Sequence, residues 1–202
     1  HAYSKRLLAD APSLTAPTPS QAASPVRAAA SAQHETLLEV EGLSQRFGDF
    51  TAVDDISFSV ARGTTHALVG ESGSGKTTTG RAISLLSTPT SGSIRLAGED
   101  ISTARDKRRR ELRRSIQMVY QNPFGSLDPR FSIGDTIAEP VRNFTGASKR
   151  DARAKARTFL DLVALDSSMA SRRPTELSGG QRQRVAIARA MIIEPDLVVL
   201  DE

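Results

Sequence analysis

An α/β fold is predicted for this chain, and three observations predict it. Short apolar segments of strand type alternate with helix-type segments; one such strand runs directly into a glycine-rich loop that opens a helix; and the run Leu197-Val198-Val199-Leu200 has the two-sided apolar character of a strand inside a parallel sheet. The 202 residues suffice for one well-buried domain. With no cysteine, disulfide scaffolds and thiolate metal sites are excluded. No apolar run approaches the roughly 20 residues that span a bilayer, and the first residues lack the layout of a signal peptide, so a membrane role is expected to be peripheral.

Taken in order, Ala11 to His34 draws 18 of its 24 residues from Ala, Pro, Ser and Thr, too little apolar surface to offset its ordering entropy, and reads as a disordered linker. Leu37, Leu38 and Val40, then alternating Ile56, Phe58 and Val60, read as strands, followed by a turn at Arg62-Gly63. Thr65 to Val69 is expected to be a compact apolar strand, with His66 near the core. Lys76 to Leu86 reads as a helix stopped by Thr88-Pro89, and Ile94–Leu96 and Ile116–Tyr120 as further strands. Ser148, with Asp151 three residues on, starts a helix that buries Ala152, Ala156, Phe159, Leu160 and Val163. A last helix spans about 180–193, stopped by Pro195, before the 197–200 strand.

The strongest local signal is Gly70-Glu71-Ser72-Gly73-Ser74-Gly75-Lys76-Thr77, which fits GxxxxGK[ST] between a strand and a helix and is followed by Thr78. Its glycines let successive backbone N–H groups turn toward phosphate oxygens, and the helix adds its positive N-terminal end. Lys76 would reach the β- and γ-phosphates of a nucleotide, and the Thr77 hydroxyl would ligate Mg²⁺. Asp201 and Glu202 follow the last apolar strand at the edge where open α/β sheets hold ligands. Asp201 is placed to hold Mg²⁺ directly or through its inner ligands, and Glu202 to orient or deprotonate an attacking water. Leu177-Ser178-Gly179-Gly180-Gln181, ahead of an Arg-rich helix, offers a hydroxyl, two unhindered amides and a helix N-terminus as a second anion site; an ordinary N-cap with a Gly-Gly turn has the same spacing.

P-loop, LSGGQ and LVVLDE in this order resemble the ATP-binding cassette (ABC) ATPases over residues 36 to 202. The resemblance implies a P-loop NTPase (RecA-like) core with an N-terminal antiparallel β-subdomain and an inserted helical subdomain at about 122–180, truncated after the Walker B strand. It also implies ATP and Mg²⁺ as cofactors, and head-to-tail pairing in which Ser178, Gly179, Gly180 and Gln181 reach the γ-phosphate held by the partner's P-loop. By the same resemblance Phe47 stacks on adenine, the other reading being a core phenylalanine. Gln121 is the Q-loop residue that touches Mg²⁺ and the attacking water; taken alone it is a turn residue. The run Gln121 to Arg130, QNPFGSLDPR, is similar to the branch that imports dipeptides, oligopeptides or nickel.

The resemblance thus implies transport-coupled ATP hydrolysis, peripheral on the cytoplasmic face of the membrane, with membrane permease subunits and, indirectly, a periplasmic or extracellular solute-binding protein. Alternatives are a soluble non-transport ABC ATPase or a non-hydrolysing nucleotide-binding fragment. The opening HAYSKRLLADAP is similar to the C-terminal tail of peptide-importer ATPases, so residues 1–13 read as the tail of a preceding ATPase domain, 14–35 as linker and 36–202 as a C-terminally incomplete domain, the second ATPase domain lying in the same polypeptide or another. Alone, such a segment is expected to be weakly active or inactive. Finally, Arg105 to Arg114 carries seven basic and two acidic residues, +5 against −1 for the rest of the chain. Without interleaved aromatics it reads as a solvated helix face with no nucleic-acid partner, anionic lipid headgroups being the lesser possibility.

Overall fold

A computed structural model of the chain describes residues 35–122, 125 and 127–201; the tail and most of the linker, Pro123, Phe124, Ser126 and Glu202 lie outside the described residues. Strands β1 (Thr36–Phe47) and β2 (Phe50–Ala61) form a long hairpin closed at Gly48-Asp49, with Leu38, Val40 and Leu43 of β1 buried at alternating or bulged positions. β3 (Ser91–Leu96) pairs antiparallel with the other edge of β1, and the short β4 (Glu99–Asp100) with β3, giving the order β2-β1-β3-β4. This is the expected antiparallel N-terminal sheet. Its buried face receives Ala82 and Ile83 from α1 (Lys76–Ile83) and Leu112 from α2 (Asp106–Ser115). Each fully buried Leu or Ile contributes about 1.5–3 kcal/mol.

β5 (Ile116–Val119) and β6 (Leu197–Leu200) form a parallel pair in register from Ile116↔Leu197 to Val119↔Leu200. Between them the chain makes α3 (Ile133–Thr145), α4 (Lys149–Leu162), two short 3₁₀ turns and α5 (Gly179–Met191). These helices bury a core of their own around Ile133, Ile137, Leu160, Val185 and Ile192. A small third cluster, Val119 with Ala186 and Ala190, packs α5 against the parallel pair. Ser132, Ser148 and Ser178 cap α3, α4 and α5, each accepting from the N–H three residues on, at about 1 kcal/mol apiece.

Four expectations are corrected. Residues 64–70 have no regular secondary structure and join no sheet ladder among the described residues; all are exposed, Val69 at 93%, because an apolar pattern cannot supply the pairing partners a parallel strand requires. His66 accordingly lies outside the core, its ring stacked on Phe58 at 5.0 Å. Among the described residues β6 pairs with β5 alone and is half-buried, with Leu200 64% exposed, rather than sealed inside a sheet. The basic helix α2 is also more than a solvated face. Arg108 bonds both Glu99 and Glu111, while Arg109 and Arg113 each donate to the carbonyl of Leu85, whose φ of 57° ends α1. That double contact satisfies a single carbonyl just past the end of a helix, where backbone acceptors have no intrahelical partner.

Candidate functional site

The loop from Gly70 to Gly75 closes on its own lysine. Lys76 Nζ donates to the carbonyls of Gly70 at 2.8 Å and Glu71 at 2.6 Å, with a long contact of 3.4 Å to Ser74 Oγ. Gly75 caps α1 with φ 88°, and a Cβ there would sit 2.3 Å from the Ala52 carbonyl oxygen. Only glycine lets the loop lie this close to β2. Thr79 locks the first turn, its N–H and hydroxyl both donating to Gly75 O, at 2.8 and 3.0 Å. No side chain caps α1 and its first turn holds no acid. An ammonium and an uncapped helix N-terminus thus face one loop, an arrangement that favours a bound anion. Ser72, Gly73 and Glu71 are exposed along it and Thr78 is half-buried behind it.

Across 124 residues of sequence, Thr77 Oγ1 donates to Asp201 Oδ1 at 2.7 Å. Asp201 follows β6 directly and is held by its own N–H on Val119 O at 2.9 Å, so the parallel pair aims its carboxylate at α1. Gly80 makes the approach possible, since even a Cβ there would come within 3.2 Å of Val199. A hydroxyl and a carboxylate side by side are the hard oxygen donors Mg²⁺ takes, and no cluster of three or more His, Cys, Asp or Glu surrounds them among the described residues. Two protein oxygens fit Mg²⁺ bound chiefly through phosphate and water, and do not make a closed protein cage.

The other predicted residues sit as follows. Gln121 lies two residues beyond β5 and is exposed, at the same strand ends as Asp201. Phe47 is 57% exposed at the hairpin tip beside Phe50, which removes the core reading for it. Ser178 Oγ accepts from Gln181 N at 3.3 Å while Gln181 Oε1 accepts from Ser178 N at 2.9 Å. This reciprocal cap leaves the hydroxyl proton and the Gln181 amide N–H groups available as donors. Gly179 and Gly180 are exposed, and a Cβ on either would meet nothing within 4 Å. The chain's own packing gives no reason for glycine there. Leu177, by contrast, is buried and anchors the segment in the helical core.

Sequence reasoning missed Phe50 as an exposed companion of Phe47, although the Gly48-Asp49 turn between two aromatics was visible. It also missed a cleft of about 230 Å³ between α2, β5 and the helical unit, lined by Arg113, Glu139, Phe144, Ala190 and Tyr120, the residue before Gln121. Its walls come from segments far apart in sequence, so no local pattern signals it.

Comparison with known proteins follows this geometry. The ABC transporter family model matches residues 53–202. The chain is 45% identical over 161 residues to the di/tripeptide transport ATP-binding protein DppF of Pseudomonas aeruginosa, covering 80% of this chain and 50% of that protein. It is 47% identical over 160 residues to the oligopeptide transport ATP-binding protein OppD of Mycobacterium bovis, covering 79% and 26%. With AppF of Bacillus subtilis, named an oligopeptide transport ATP-binding protein, identity is 44% over 183 residues, covering 85% and 56%. The chain therefore spans about half or less of the length of these curated relatives. Among solved structures, the dimeric post-hydrolysis ATP-binding cassette MJ0796 bound to ADP and Pi superposes with a TM-score of 0.75 at 28% identity, covering 82% of this chain and 74% of that one. The cbiO1 protein of Clostridium perfringens, part of the ABC transporter complex cbiONQ, gives 0.72 at 28% identity, covering 83% and 66%.

Proposed function

The chain belongs to the ABC transporter family of ATP-binding domains, and from that premise we propose that it binds ATP with Mg²⁺ and hydrolyses it to drive a peptide importer. The single observation that carries the reading is the Thr77–Asp201 contact of 2.7 Å beside the Lys76 loop, which joins the phosphate-binding and metal-binding halves in one site. Lys76 exchanges its loop carbonyls for the β- and γ-phosphate oxygens, and the N–H groups from Gly73 to Thr77 hold the remaining phosphate charge. Thr77 and Asp201 hold Mg²⁺, which when bound neutralises charge building on the phosphates. Phe47, exposed at the hairpin tip, stacks on the adenine. Gln121 orients the water, and Glu202 accepts its proton.

A second ATPase domain, in the same polypeptide or a separate one, supplies the other half of the machine. Ser178, Gly179, Gly180 and Gln181 close over the γ-phosphate bound by that partner. The openness around both glycines supports this: the absent side chains leave room for something outside this chain. The cleft beside Gln121 seats a permease subunit, so that a change at the phosphate is felt at the membrane. The domain works peripherally on the cytoplasmic face, and selection of peptide lies with the permease and an external solute-binding protein. The names of the relatives support peptides as the transported class.

The test is Lys76→Ala in the intact protein. ATP affinity should fall at least tenfold and hydrolysis should become undetectable; unchanged turnover would refute the assigned phosphate role.

A further inference from the structure

The transport reading leaves the basic helix α2 unexplained. Beside it opens a hollow of about 650 Å³, lined on one side by Lys107, Arg110 and Arg114 of α2 and floored by Ser115 and Asn143. Three acids also line it, yet each is held by a cation elsewhere: Glu111 by Arg108 at 3.0 Å, Glu194 by Lys155 at 2.8 Å and Asp196 by Arg62 at 3.5 Å. Lys107 and Arg114 have no ion pair among the described residues, and Arg110 reaches only the neutral Asn143 carbonyl at 3.2 Å. Their spacing of three and four residues sets all three on one helix face. Three cations of the lining, Lys107, Arg110 and Arg114, thus stand without an ion pair beside a hydroxyl and an amide, while the three acids of the lining pair with cations outside it.

We propose that this hollow is a site for a phosphate-bearing anion, and that its source is the headgroup of an anionic phospholipid at the membrane surface. Three observations favour that source. The hollow and the cleft assigned to the permease share Asn143 and Phe144, so whatever brings the cleft to a membrane brings the hollow too; in this respect the inference rests on the transport reading. The lining holds a single aromatic, Phe144, half-buried against the helical core, and not the series of exposed rings on which successive bases stack, which disfavours single-stranded nucleic acid. And a ten-residue helix offering long, mobile cationic side chains is suited to a fluid surface of phosphates, where each Lys or Arg adds separately to affinity.

The test compares the intact protein with two triple variants that remove the same charge: Lys107→Gln/Arg110→Gln/Arg114→Gln in the hollow, and Lys149→Gln/Arg150→Gln/Arg157→Gln on the exposed face of α4. Binding is measured by co-sedimentation with phosphatidylcholine vesicles with and without phosphatidylglycerol. Loss of about 100-fold in affinity for the anionic vesicles in the hollow variant only, with no binding to neutral vesicles in any, is the expected result. Equal loss in both variants reduces the effect to net charge and overturns the site, as does retention in the hollow variant. Displacement from vesicles by millimolar inorganic phosphate, or tighter binding to RNA than to vesicles, overturns the lipid source. ATP binding is read in parallel. A hollow variant that keeps ATP binding but loses vesicles supports the inference. A protein that keeps vesicles but is indifferent to Lys76→Ala fails the transport reading alone. Should the triple variant not fold, Arg114→Gln alone must still lose about fivefold.

Discussion

Replacing Gly75 by alanine separates two costs that the loop imposes. The first is conformational: at φ 88° an L-residue sits in the left-handed region, at about 1–2 kcal/mol. The second is steric. The new Cβ would lie 2.3 Å from Ala52 O and 3.0 Å from Val53 Cγ2, so loop and β2 must part by roughly 1 Å to regain an ordinary carbon–oxygen contact of about 3.3 Å, an overpacking cost of about 1–3 kcal/mol. The total is about 2–5 kcal/mol, a large fraction of an ordinary domain's stability. Gly73 supplies the comparison, because its φ of 83° carries the first cost while a Cβ there meets nothing within 4 Å; Gly73→Ala should lose only about 1–2 kcal/mol. Gly179→Ala has neither cost and, in the first turn of α5, should leave stability unchanged or raise it by up to about 1 kcal/mol. Urea unfolding followed by circular dichroism, with midpoints compared at constant slope, reads all three. Equal losses at Gly73 and Gly75 would refute the close approach of the loop to β2. If Gly179 serves a partner domain, its alanine variant should lose ATPase activity in the intact protein while its unfolding midpoint stands still.

Two further predictions concern side chains. Thr77→Val removes the 2.7 Å bond to Asp201 and should cost about 1–2 kcal/mol, while Thr77→Ser should restore both stability and the Mg²⁺ dependence of nucleotide affinity; a valine variant that keeps full Mg²⁺ dependence would dismiss the threonine as a metal ligand. Asp135 accepts a two-pronged bond from Arg153, at 2.7 and 2.6 Å, and a bond from Ser132 Oγ, which together hold its carboxyl below the ordinary range. A lowered folded-state value means its contribution is complete above the unfolded value near 4 and disappears as the pH falls through the folded one. Asp135→Asn should therefore destabilise by about 1–2 kcal/mol at neutral pH, with the gap to the parent closing in acid; a gap constant down to acid unfolding would contradict this.

What the sequence made legible is what local chemistry determines. Ser148 and Ser178, each with an acceptor or donor three residues on, mark the starts of α4 and α5 because capping is a contact within four residues. The glycine spacing of the P-loop is similarly self-contained, whereas the Thr77–Asp201 contact joins the first turn of the helix after that loop to the end of the last strand. What failed depended on distant partners. The apolar stretch 65–69 has a strand's composition, but a parallel strand exists only by pairing, and none is made. The arginines of α2 look alike in sequence; only folding brings Arg109 and Arg113 to one carbonyl, Arg108 to two carboxylates, and leaves Lys107, Arg110 and Arg114 without an acid. Phe47 could be sorted from core to surface only by knowing where the hairpin ends.

The bond between Thr77 and Asp201 also bears on how the molecule is made. Closing a loop of 124 residues costs about 4 kcal/mol in chain entropy, more than one hydrogen bond returns, so the contact cannot form ahead of the helices folded within that loop. At about 5–20 residues per second, the ribosome needs roughly 6–25 s to add the 124 residues from Thr78 to Asp201. Throughout that interval the nascent chain has its phosphate loop and no carboxylate opposite it. The closing bond therefore marks the moment at which everything between the two motifs has been synthesised and folded.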